Sequence, residues 1–147
     1  MTKPQRYVPK FPAKYKGDPT QVWYRSMWER QCMVFFDAQS AIKSWSSEEI
    51  ILPYRDPLNQ RCRRYFPDFL VTLEAKDKSI KTLLIEVKPM AQTKPPLLPK
   101  SGKQTPRFIR ECYTYGVNQA KWDTAKAYCK SKGWEFVIWT ENDLPFI

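Results

Sequence analysis

The sequence predicts an α/β fold in which a mixed sheet lies between helices, and three observations lead there. Two breaker-poor segments with helical spacing stand at residues 19–37 and 117–132. Three runs rich in aromatic and β-branched residues lie between them, at 48–54, 62–74 and 81–88, and a fourth follows at 134–141. The short polar stretch between the second and third runs suits a hairpin, whereas the helix between the third and fourth permits a right-handed parallel crossover.

Each element has its own signals. Asp18-Pro19 offers an N-cap and a first-turn proline for the first helix. EEIILPY (48–54) reads as the first strand, and CRRYFPDFLVTLE (62–74) with KTLLIEVK (81–88) as a hairpin across AKDKSI. Pro67 inside the second run marks an edge or a bulge, and Pro89 ends the third. In the second helix Val117, Ala120, Thr124 and Tyr128 recur at helical spacing, with Gly133 placed to cap it. WEFVIWTE (134–141) is the last strand, and the six tryptophans read as core. No repeat or second hydrophobic pattern interrupts this order, so residues 1–147 are expected to form one domain.

Composition narrows the chemistry. The chain has no histidine, which removes Ser-His-Asp and Cys-His nucleophiles, histidine-metal nucleases and Cys₂His₂ zinc sites. Four scattered cysteines form no CxxC pair and read as reduced thiols of a cytosolic protein. No apolar run approaches the roughly 18 residues of a membrane span, so no membrane partner is expected. Lysine and arginine number 25 against 15 acids, a net charge of +10. The whole excess sits in two acid-free, proline-rich segments: residues 1–17, with Lys3, Arg6, Lys10, Lys14 and Lys16, and residues 90–110, with Lys94, Lys100, Lys103, Arg107 and Arg110. Segments of this kind read as an extended arm (1–17) and loop (89–115) able to neutralise the phosphates of a nucleic acid, or else as solubilising tails.

The acids show a pattern of their own. In an antiparallel hairpin opposed residue numbers keep a constant sum, and a turn centred on Asp77 sets Asp68 opposite Glu86 across a five-residue loop, residues 75–79. Opposed side chains lie about 5 Å apart, a distance at which two carboxylates repel unless a cation lies between them. Lys88 follows on the face of Glu86. It suits a lysine that orients water or stabilises a phosphoryl transition state, or an ordinary surface ion pair. Glu29 lies on the apolar stripe of the first helix, where either Arg25 or Arg30 neutralises it or it faces Asp68, Glu86 and Lys88. Lys121 on the second helix either reaches that site or snorkels from the core edge, and Arg63 and Arg64 just before Asp68 either meet a DNA backbone or end a solvated strand.

Glu29, then Pro67-Asp68, then Glu86-Val87-Lys88, on an order of helix, three strands, helix and strand, resembles the PD-(D/E)XK, or restriction-endonuclease-like, nucleases. YRSMWER, SSEEIILPY, RRYFPDF, LLIEVKP, QTKPP, YGVNQAKW and GWEF are similar, in the same order, to the head-completion nucleases of contractile-tailed bacteriophages, and more distantly to the end-cutting endonuclease subunit of bacterial transposons. The resemblance implies a metal-dependent DNA endonuclease acting in the host cytoplasm or with the virion, with phage capsid, portal or neck proteins as partners and no small-molecule substrate. It implies that Asp68, Glu86 and the carbonyl of Val87 bind Mg²⁺, or Mn²⁺ in its place, with Glu29 as a further ligand or an organiser of water and Lys88 beside the attacking water. Lys94, Lys100, Lys103, Arg107, Arg63, Arg64 and Lys121 are the expected DNA contacts. A DNA-binding structural factor without activity, or a transposon or repair endonuclease with the same site, would share these residues.

Overall fold

The computed structural model describes residues 3–144. The elements run β1 (Gln5–Arg6), β2 (Trp23–Tyr24), α1 (Met27–Ala38), β3 (Ile42–Ser47), β4 (Leu52–Arg55), β5 (Cys62–Tyr65), β6 (Phe69–Glu74), β7 (Ile80–Val87), α2 (Pro106–Lys132) and β8 (Glu135–Trp139). Four strands make the central sheet in the order β3-β6-β7-β8. The first two pairings are antiparallel, and β8 joins β7 in parallel after the α2 crossover. β1–β2 and β4–β5 are separate antiparallel ribbons.

The hairpin has the expected register. Pairs run from Phe69↔Ile85 to Glu74↔Ile80, and one more step sets Asp68 opposite Glu86. The loop 75–79 is closed by the Ala75 N–H donating to the Ser79 carbonyl at 2.8 Å. Side chains alternate across β7 as a two-residue period requires. Ile85, with Leu83 and Val87 beside it, joins Cys32, Met33 and Phe36 of α1 and Trp45, Phe69 and Val71 of the sheet. Leu84 joins Trp122, Ala125 and Cys129 of α2 and Leu52, Tyr54 and Tyr65 of the β4–β5 ribbon. The sheet therefore divides an α1 core from an α2 core.

Four expectations are corrected. Helix α1 starts at Met27 rather than 19, because Trp23–Tyr24 pair with Gln5–Arg6 and Ser26 is the N-cap, its Oγ accepting the Glu29 N–H at 3.1 Å. Asp18 instead holds a local turn, accepting the Thr20 N–H at 2.9 Å. The first sheet strand is Ile42–Ser47, not 48–54. It is an edge strand in which Lys43 and three serines accompany buried Ile42 and Trp45 around a register shift between Ile42 and Ser44, and Glu48, at φ 55°, ends it. The run 62–74 is broken at 66–68: Cys62–Tyr65 pairs with Leu52–Arg55, and only Phe69–Glu74 enters the sheet. Pro67 has no N–H to give a ladder, so the break falls where the donor is missing. Finally, the loop expected over 89–115 is helical from Pro106 on, with Thr105 as N-cap accepting the Phe108 N–H at 3.1 Å. Gly133 ends this helix at φ 73°, donating to the carbonyls of Cys129 and Lys130.

The basic arm is not free either. Tyr7 and Tyr15 are buried in the α1 core, Tyr15 edge-on to Trp45 with ring centroids 4.7 Å apart. Asp37 accepts the Tyr7 hydroxyl at 2.8 Å and the Lys10 and Phe11 N–H groups at 2.6 and 3.1 Å. The Lys14 ammonium donates to the carbonyls of Phe36, Asp37 and Gln39 at 2.7, 2.9 and 2.8 Å. Those carbonyls are the open, negative end of α1, and a cation there satisfies them. Residues 1 and 2 lie outside the described residues.

Candidate active site

The break at 66–68 and the end of β7 bring the acids together. Asp68 stands between Pro67 and the first residue of β6, and its Oδ2 accepts the Val87 N–H at 2.7 Å. Glu86 is 5% exposed and faces the α2 core. Its Oε1 accepts the Tyr65 hydroxyl at 2.8 Å, and Lys88 Nζ stands 3.7 Å from its Oε2. Burial, and then the charge of Glu86, push the Asp68 carboxyl well above the usual carboxylate range, against the Val87 N–H that favours the anion. Burial also raises Glu86, opposed by Lys88, the Tyr65 hydrogen bond and Lys121. A buried acid and a half-buried one opposed in this way hold protons more tightly than exposed ones unless another positive charge joins them.

Lys121 supplies part of that charge. From α2 its ammonium lies 5.7 Å from the Tyr54 ring centre and 5.6 Å from that of Tyr65. Burial and the neighbouring charge of Lys88 lower its pKa, while Glu86 and Asp68 pull it up. Lys88 and Lys121 line one side of a cleft of about 440 Å³, with Tyr54, Asp56, Arg63 and Tyr113 also on its wall.

Glu29 stands at the first turn of α1. Its Oε2 accepts the Arg25 N–H at 3.3 Å and its Oε1 the Ser26 hydroxyl at 3.5 Å, a capping box with Ser26. The Arg25 guanidinium pairs with Glu48 at 2.6 Å and offsets the Glu29 charge only in part. Burial raises the Glu29 pKa, with the charge of Glu48 adding to it, and its own charge reaches Asp68.

The expected DNA contacts divide into two groups. Lys94 and Arg107 line a groove of about 580 Å³ between residues 91–96 and the first half of α2, and Lys100 and Lys103 are exposed nearby. Arg107 also pairs with Glu111 at 2.8 Å on an open surface, a contact of little energetic weight. Arg64 lies over the Phe66 ring at 5.7 Å. Arg63 is tied to Asp56 at 3.0 Å, so it carries structure as well as charge.

Two features escape sequence reasoning. Asp56 is 1% exposed and gathers Arg63, the Tyr113 hydroxyl at 2.7 Å and the Leu58 N–H at 2.9 Å, fastening the β4–β5 ribbon to α2. Asp-Pro at 56–57 is a turn signal but does not announce a buried acid. Tyr65 looks like one more strand aromatic, and only its hydroxyl's partner distinguishes it.

Among the described residues no group of three His, Cys, Asp or Glu side chains is arranged to enclose an ion. Hard oxygen donors from two repelling carboxylates nevertheless suit a Mg²⁺-type cation, which keeps several waters, rather than a closed zinc cage.

A family model of the TnsA-like endonuclease N-terminal domain matches residues 39–141, from just before β3 to just past β8. The head completion nuclease of Enterobacteria phage T4 is 37% identical to the chain over 141 residues, an alignment covering 95% of this chain and 91% of that protein. With the sheet order and crossover described above, these likenesses place the chain in the TnsA-like endonuclease family, a nuclease of the restriction-endonuclease-like fold.

Proposed function

We propose that the protein is a Mg²⁺-dependent DNA endonuclease that acts during completion of a phage head in the host cytoplasm, with Asp68, Glu86 and Lys88 as its catalytic residues. The observation that carries this reading is the opposed Asp68–Glu86 pair, both raised in pKa by burial and Asp68 further by the charge of Glu86, with Lys88 3.7 Å from Glu86. The similarity to the phage T4 head completion nuclease supplies the setting, and capsid, portal or neck proteins are the partners it suggests.

Asp68, Glu86 and the Val87 carbonyl would hold the cation, for which Mn²⁺ would substitute. Bound there, it would supply a more acidic water and neutralise phosphate charge. Tyr65 fixes the orientation of Glu86 by donating to Oε1, leaving Oε2 toward Lys88. Lys88 orients the attacking water in line with the scissile P–O bond and offsets negative charge growing on the phosphoryl oxygens. Lys121, held over Tyr54 and Tyr65, faces the same cleft and neutralises a phosphate of the bound strand. Glu29 acts at longer range, its charge adding to the field at Asp68.

The test is nicking of supercoiled plasmid by the wild type, Glu86→Ala and Lys88→Ala in Mg²⁺. The two variants are expected to fall at least about a hundredfold in rate, the scale of removing one group that stabilises the transition state. Equal activity in all three overturns the assignment. The setting is tested with phage carrying Lys88→Ala, which should accumulate filled heads that do not mature; normal yields of infectious particles would overturn it.

A further inference from the structure

We propose that Leu97 and Leu98 form a wedge that enters the base stack of DNA held in the adjoining basic groove, and that through it the enzyme prefers DNA whose stack is already interrupted. The inference rests on the nuclease reading above and adds to it a class of substrate.

Leu97 is 90% and Leu98 50% exposed, and they are adjacent in the chain. Isolated exposed leucines carry no message, but this pair stands in the sequence Lys94-Pro-Pro-Leu-Leu-Pro-Lys100, an apolar tip between cations with no acid from residue 90 to 110. No residue from 91 to 113 is buried, so the pair does not brace the fold. Pro95, Pro96 and Pro99 restrict φ on both sides of it. A segment already stiff loses little conformational entropy when a partner orders it.

Place and charge select the partner. Residues 91–96 form one wall of the 580 Å³ groove, whose floor carries Arg107 and Arg110 from α2. That groove shares Gln92, Thr114 and Asn118 with the cleft of Lys88 and Lys121, so the two are continuous. A polyanion lying along them passes from Lys94 and Arg107 to Lys121 and to Lys88, the neighbour of Glu86, and Leu97-Leu98 follow directly on Pro96 of the groove wall. Apolar side chains flanked by phosphate-binding cations are the means by which proteins unstack a base step and kink a duplex. Unstacking is costly in intact duplex and less so where pairing is already broken. A wedge therefore favours a gap, a nick or a junction of single and double strand.

The experiment uses the full chain in chelator, so that no strand is cut, with 2-aminopurine placed at the junction of a gapped duplex and dyes at its ends. Wild type is expected to raise the 2-aminopurine emission severalfold, to bend the DNA by about 20–90°, and to bind gapped DNA severalfold tighter than intact duplex. Leu97→Ser/Leu98→Ser should lose all three while keeping its affinity for intact duplex. A double variant that unstacks, bends and discriminates as wild type does overturns the proposal. The same holds if wild type saturates the DNA without unstacking it, or if the variant changes only self-association, which would assign the pair to a protein contact. None of these readouts depends on cleavage, so failure of the wedge and failure of the nuclease reading are distinguishable.

Discussion

Residues 3–17 pack into the α1 core of the sheet, whereas residues 89–105 bury nothing, although both segments are basic, acid-free and rich in proline. The difference lies in what each segment can bury and satisfy. The first carries Tyr7 and Tyr15, which enter the α1 core, and it meets Asp37 and the bare carbonyls at the end of α1. The second offers Leu97 and Leu98 with nothing to cover them, and its lysines have no ion-pair partner among the described residues. Charge that is used internally stabilises the fold; charge left unpaired beside a cleft is available to a ligand.

The largest effect that tests this contrast is on stability. Tyr15→Ala, which removes a ring packed on Trp45, is expected to cost about 3 kcal/mol in urea unfolding, whereas Leu97→Ala should stay within about 0.5 kcal/mol. Equal costs would mean that the second segment packs as the first does. Next, Asp37→Ala strands the Tyr7 hydroxyl and two N–H groups and should cost about 2 kcal/mol, leaving the salt dependence of DNA binding unchanged.

The converse follows for charge. Replacing Lys94, Lys100 and Lys103 by alanine should leave the melting temperature unchanged and flatten the slope of log K against log salt by up to about 2.7, at about 0.9 for each phosphate that is no longer neutralised. Lys14→Met should do the reverse, lowering stability by about 1 kcal/mol through the uncapped end of α1, with the slope preserved. A flattened slope in Lys14→Met would break the division of labour.

The smallest expected effect concerns pH. Asp68 and Glu86 have raised pKa values in the folded protein, so the native state binds more protons than the unfolded chain in the window between the ordinary carboxylate range and the raised values. Stability then falls as pH rises through that window, by an amount on the order of 1 kcal/mol. Glu86→Gln should recover it, and so should added Mg²⁺ in the wild type. Thermal melts at pH 5 and pH 7.5 that coincide for wild type in chelator would contradict the electrostatics described for the site.

Legibility follows the range of the interactions. Loop length and the two-residue period place Asp68 opposite Glu86, because hairpin register is a local property. Gly133 is recognisable as a helix end for the same reason. Ile42–Ser47 escapes notice because its serines and Lys43 hide an edge strand whose partner lies in β6. The first ten residues of α2 resemble a loop because they bury nothing and carry the basic excess, so no apolar stripe marks them. Tyr65 and Asp56 carry no sign of their roles, since each is defined by a partner more than 20 or 50 residues away.

By itself the sequence determined the α/β order, the hairpin register, the absence of imidazole chemistry and the candidate set of Asp68, Glu86 and Lys88. Only the tertiary structure decided which basic segment is a structural strap and which stands free, and that the Glu29 carboxylate reaches back to Arg25 and Ser26 ahead of α1. It also decided that Tyr65 and Lys121 complete the surroundings of Glu86. The physical reason is that burial, and with it the strength of every charge and hydrogen bond, depends on which surfaces meet. Composition and spacing describe one surface at a time.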